Sequence, residues 1–72
     1  MTEKPKPPTW LTPAGEPLSC IEKIKVLNEN LAELQDMAQE ALEDAVLMGA
    51  DEDQFRQYLK IMSEALVNPY KR

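Results

Sequence analysis

Histidine is absent from this 72-residue sequence, and cysteine occurs once, at Cys20. A single thiol excludes an internal disulfide, and one thiol without histidine cannot supply the four ligands of a structural zinc site. The Glu-x-x-His pairs of di-iron helical bundles are excluded for the same reason. No nucleophilic side chain has a nearby base, and no glycine-rich phosphate loop occurs. We therefore expect a noncatalytic protein with no cofactor, no metal ion and no small-molecule substrate.

Long apolar stretches are also lacking. No run approaches the roughly 20 residues that cross a bilayer, and residues 1–5 lack the apolar core of a signal peptide. Acidic residues outnumber basic ones by 13 to 8, and the net charge of −5 disfavours direct binding to nucleic acid or to an anionic membrane. Together with the free thiol, these features predict a cytoplasmic location.

The chain is short. Its 72 residues suffice for one domain, and a domain near this size buries only about 60% of its unfolded surface. Small domains usually gain stability from disulfides, a metal ion or another subunit. Because the first two are excluded, the length favours self-association or binding to a larger protein.

Proline is concentrated at the N-terminus, where residues 1–17 contain five of the six prolines. Because proline fixes φ and lacks a backbone donor, we expect an extended or irregular arm. Trp10 and Leu11 lie in its middle and are candidates for apolar contacts. The sequence thus divides into the arm (1–17), a helical domain (18–68) and a short tail (69–72).

A long first helix is predicted over residues 20–48. Ser19 and Glu22 match a capping box at its start, and Gly49 supplies a left-handed stop at its end. Between them, apolar residues recur at alternating steps of three and four, which is a coiled-coil-like pattern. The series is Cys20, Ile24, Leu27, Leu31, Leu34, Ala38, Ala41, Ala45 and Met48.

A shorter second helix is predicted over residues 52–67. Asp51 is a favourable N-cap with Gln54 three residues later, and Asn68-Pro69 ends the helix. Because about two residues separate the helices, we expect an all-α fold in which they form an antiparallel hairpin. Large residues of the second helix then face small ones of the first. The expected pairs are Phe55 with Ala45, Leu59 with Ala41, Met62 with Ala38, and Leu66 with Leu34.

The two predicted helices differ in length, because the second reaches about 24 Å and the first about 43 Å. The hairpin therefore leaves part of the apolar series without an intramolecular helix. The uncovered residues are Ile21, Ile24, Leu27 and Leu31. Leaving them in water would forgo about 1.5–3 kcal/mol for each side chain. Three coverings are open: the arm folds back, a second copy completes a four-helix bundle, or another protein binds.

Acidic residues form a ribbon on the opposite side of the first helix. Between Lys25 and Arg56 the sequence has nine acidic residues and no basic one. A solvated face that keeps the hairpin soluble is one interpretation, and a docking surface for a basic partner is the other. The expected partner-binding residues are Trp10, Leu11, Ile21, Ile24, Leu27 and Leu31, with the acidic flank Glu29, Glu33, Asp36 and Glu40.

Cys20 is open to two interpretations. Its place at the first helical position beside Lys23 makes it a candidate reactive thiol, but its place in the apolar series favours a buried structural residue. The main functional interpretation is a noncatalytic protein–protein interaction module, either a self-associating hairpin or a small accessory or regulatory subunit of a larger complex. The alternatives are an acidic regulator of nucleic-acid machinery that mimics DNA, and a thiol-based redox protein that uses Cys20.

Overall fold

A computed structural model describes residues 4–70 and places two helices in this part of the chain. Helix α1 spans Ile21–Leu47, and helix α2 spans Glu52–Glu64. Between residues 4 and 70 there is no strand, and an isolated antiparallel bridge joins Leu11 to Pro17. The prediction of an all-α fold with two helices is confirmed, and two helices with a short link are consistent with a helical hairpin.

The start of α1 differs from the expected capping box. The Ile24 amide donates to the Cys20 carbonyl at 3.0 Å, so Cys20 occupies the N-cap position. The helix therefore begins one residue later than a box of Ser19 and Glu22 requires. Glu22 still lies in the first turn, where the helix dipole favours a carboxylate.

The end of α1 follows the sequence prediction closely. Gly49 has a φ of +91°, the left-handed conformation that glycine adopts without a steric penalty. The Ala50 amide donates to the Ala45 carbonyl at 2.9 Å, and the Gly49 amide donates to the Val46 carbonyl at 3.1 Å. These two bonds form a Schellman motif, which satisfies carbonyls that the helix end would otherwise leave unpaired.

Helix α2 begins as predicted and ends early. The Asp51 carboxylate accepts a hydrogen bond from the backbone N–H of Gln54 at 2.8 Å, and the Asp51 backbone is extended, as an N-cap requires. The helix ends at Glu64 rather than at residue 67, and the Ala65 amide is shared between carbonyls of the last turn. Val67 is exposed, so no packing holds the last predicted turn in helical form, and packing supplies most helix stability.

The proline-rich segment is not uniformly extended. The Gly15 amide donates to the Thr12 carbonyl at 2.9 Å, and the Thr12 amide donates to the Glu16 carbonyl at 2.7 Å. Gly15 has a φ of +89°, so residues 12–16 form a turn followed by a left-handed glycine, the usual three-residue hairpin loop. The Leu18 amide closes the loop on the Trp10 carbonyl at 2.8 Å.

The chain forms two compact units, Met1–Ala38 and Gln39–Arg72. In the second unit Ala45 is buried to 7% exposure, and Leu42, Phe55 and Leu59 are half-buried. Ala45 is the sole buried residue between positions 4 and 70. None of the described residues of the first unit, 4–38, is buried. Its best-covered side chains, Trp10 among them, are half-buried.

Candidate interaction surface

The apolar residues expected to bind a partner lie on α1 and are incompletely covered. Ile24 and Leu27 are half-buried, and Leu31 is exposed. Leu34 is 58% exposed. We call Ile24, Leu27, Leu31 and Leu34 the α1 seam.

Two further expected contact residues lie near the start of α1. Ile21 is the first residue of the helix and is 80% exposed. Leu11 is also exposed, although its backbone forms the isolated bridge with Pro17. Their exposure leaves both side chains accessible, and their role in binding stays a prediction.

Trp10 contacts α1 through a polar group. Its Nε1–H donates to the Asn28 Oδ1 at 2.8 Å, and both residues are half-buried. A half-buried indole usually finds a partner for its N–H while its ring rests on apolar surface. This bond connects the arm to the N-terminal third of α1, four residues from Ile24 and three residues from Leu31.

The arm between Lys4 and Pro8 lies beside the next two turns of α1. Lys4 forms an ion pair with Asp36, and both side chains are more than half exposed. A groove of about 470 Å³ lies between this segment and the helix. On the helix side the groove is lined by Asn28, Leu31, Ala32, Leu34, Gln35 and Ala38, and on the arm side by residues 4–8. The arm thus borders the seam at Leu31 and Leu34 and leaves an apolar opening there.

A second depression lies nearer the start of α1. It is more open than the groove and has a volume of about 450 Å³. Its lining consists of Leu18, Glu22, Lys23, Val26 and Leu27. The seam residue Leu27 therefore borders an apolar opening as well.

The acidic ribbon is a solvent-exposed face of α1. Glu29, Glu33 and Glu40 are exposed, and Asp36 is the member that the Lys4 ammonium contacts. Exposed pairs of this kind contribute about 0–1 kcal/mol and weaken as salt rises. The ribbon therefore holds the arm weakly and leaves most of its carboxylates facing water.

Cys20 is exposed, which corrects the expectation that it is a buried member of the apolar series. The reason is its position, because it precedes the first helical residue and its neighbour Ile21 is also exposed. Across residues 4–70, no group of three or more potential metal ligands is present. The helices in this span are also too short or too polar to cross a membrane.

Several contributors to the surface escaped prediction from the sequence. Asn28 looked like one more polar residue beside the apolar series, and no local pattern marks an amide as the partner of a distant indole. The turn was detectable, because Pro13 and Gly15 occupy their preferred second and fourth positions of a β-turn that begins at Thr12. Nothing in the sequence around Lys4, apart from its charge, predicts the ion pair with Asp36.

A scan against protein-family models, a search of curated proteins and a search of solved structures each found no match to this chain.

Proposed function

We propose that this chain is a noncatalytic protein–protein interaction module that works as part of an assembly. The two helices form an antiparallel hairpin, and the α1 seam is the contact surface. Trp10 and the arm border that surface, with the acidic flank beside it. The partner is a second copy or a larger protein, and the free thiol fits a cytoplasmic location.

The observation that carries this proposal is the shortage of buried apolar surface. The residue Ala45 alone is buried within 4–70, while Leu31, Leu34 and Met37 are exposed along the same helix. Contiguous exposed apolar surface on a small protein marks a contact with another molecule more often than a solvated face.

The test compares assembly size in a cell extract that contains the chain at its native level. We expect the chain to elute from a sizing column well above its own 8.2 kDa. Leu31→Glu should shift it to the position of a single chain, because a carboxylate on the seam cannot be desolvated without a partner charge.

Lys25→Glu is the control, and it changes the net charge by more than Leu31→Glu does, by −2 instead of −1. It places a new carboxylate on the same helix at an exposed position, away from the seam, and should leave the elution unchanged. Elution of the unmodified chain as a single copy would contradict the proposal. An equal shift by both variants would show that net charge, rather than the seam, determines the assembly.

A further inference from the structure

We propose that the occupant of the α1 seam is a second copy of this chain, whose α1 lies antiparallel to the first with Leu31 opposite Leu34 of the second copy. This inference rests on the proposed interaction function and names the partner. It follows from where the charged residues of α1 lie relative to the seam and from the residue sizes along it.

Between Leu27 and Ala38, the charges of α1 lie away from the edges of the seam. In the heptad pattern Ile24, Leu31 and Ala38 are a positions, and Leu27, Leu34 and Ala41 are d positions. The flanking e and g positions between Leu27 and Ala38 are uncharged: Asn28, Asn30, Gln35 and Met37. The acidic ribbon falls at the outer c and f positions, where it does not face a helix packed on the seam.

This placement favours a second copy over a basic partner. Charges at e and g positions determine which helices pair in coiled coils. A basic partner would be recognised by carboxylates at the e and g positions of α1. A chain with a net charge of −5 instead avoids repelling its own copy when those positions lack carboxylates. The sequence meets the second condition along the middle of α1.

Residue sizes determine the register. With Leu31 opposite Leu34, the antiparallel arrangement also places Ile24 opposite Ala41 and Leu27 opposite Ala38. Large side chains then meet small ones, which lets two helices approach closely without voids. Because the arrangement is two-fold symmetric, every pair occurs twice.

The same register brings the two charged g positions of α1 together. Lys23 of one copy lies opposite Asp44 of the other, and the neighbouring g pair is Asn30 with Met37. Lys23 and Asp44 are exposed in the single chain, and neither takes part in the ion pairs formed within the described residues. Met37 is 68% exposed, so the g edge is open, whereas the arm borders the e edge at Asn28 and Gln35.

The experiment is sedimentation equilibrium of the purified full chain from about 1 μM to 1 mM, which brackets the affinities of weak and stable dimers. We expect a mass that rises toward twice 8.2 kDa. Lys23→Glu and Asp44→Lys should each raise the dimer dissociation constant roughly tenfold, because each converts two attractive pairs into repulsive ones. Combining the two substitutions in one chain should restore the original value.

Lys25→Glu and Glu43→Lys are the matched controls, because they make the same charge changes at outward b and f positions of α1. They should change the dissociation constant less than twofold. Circular dichroism of every variant checks that the helices are retained, and a variant that loses them is replaced by Lys23→Gln or Asp44→Asn, which should weaken the dimer by a smaller factor.

Three outcomes overturn the inference. A mass of one chain at every concentration rules out the second copy, and if the chain still elutes in a larger assembly from a cell extract, the interaction function stands with another protein as partner. Equal weakening by the controls, or no recovery in the double variant, rules out this register.

Discussion

The two halves of α1 are covered by different means. In the unit Gln39–Arg72, a helix capped by Asp51 follows a Schellman motif, and Ala45 becomes buried. In the unit Met1–Ala38, the cover is an irregular segment held by the Trp10–Asn28 hydrogen bond and a surface ion pair. A helix covers a neighbour with a continuous apolar stripe, whereas a proline-rich segment has few backbone donors and attaches through individual side chains. The second kind of cover leaves apolar surface open.

The largest effect on stability is expected from removing the aromatic side chain at the start of α2. Phe55 is half-buried in the second unit, so Phe55→Ala should lower the free energy of unfolding by about 2 kcal/mol, below the 3–5 kcal/mol typical of a fully buried ring. Urea unfolding followed by circular dichroism at fixed protein concentration measures this loss.

Tyr58→Ala is the control for that measurement. Tyr58 lies on the same helix and is exposed, so its removal should cost less than about 1 kcal/mol. If the two variants lost the same stability, the second unit would have no packed face around α2, and the contrast between the two halves of α1 would disappear.

The helical part of the fold was predictable because its signals are local. Asp51 with Gln54, and Gly49 after an apolar series, each determine a helix end through atoms within five residues of one another. The end of α2 was less predictable. Pro69 disfavours a helical residue before it and so fixes only the last position that the helix can reach. Packing determines where the helix ends before that position. Val67 lacks such packing, and the helix ends three residues early.

The candidate surface was predictable only in part. The periodicity marks the seam residues, but exposure depends on which distant segment reaches them. The bond between Trp10 and Asn28 spans 18 residues of sequence, and an indole has many possible acceptors. The turn from Thr12 to Gly15 shortens the arm. Proline content alone does not predict where such a turn lies.

An intermediate effect is expected at the two glycines with positive φ, one in each unit. Gly15 and Gly49 have φ values of +89° and +91°, and a Cβ at either position would meet no atom within 4 Å. Substitution by alanine therefore costs backbone strain alone, about 1–2 kcal/mol. The strain is the same, but the structures that depend on each glycine differ.

Gly49→Ala should lower the urea midpoint of the helical signal, because the Schellman motif joins the two helices of the hairpin. Gly15→Ala should leave that midpoint nearly unchanged and alter Trp10 fluorescence, because the turn holds the indole beside α1. A loss of helical stability in Gly15→Ala equal to that in Gly49→Ala would show that the arm unfolds together with the helices, rather than separately from them.

The smallest effect, and the most direct measure of how firmly the arm covers α1, is the coupling between Trp10 and Asn28. Trp10→Phe keeps most of the apolar ring and removes the Nε1–H, while Asn28→Ala removes the acceptor. A neutral hydrogen bond contributes about 0.5–1.5 kcal/mol, and at a half-buried site we expect a coupling near the lower value. A double-mutant cycle isolates this pair from the separate packing losses of the two substitutions. Zero coupling in the unfolding free energy would mean that the indole is held by ring packing alone, and the arm would then cover the seam by the same kind of contact that α2 makes with the other half of the helix.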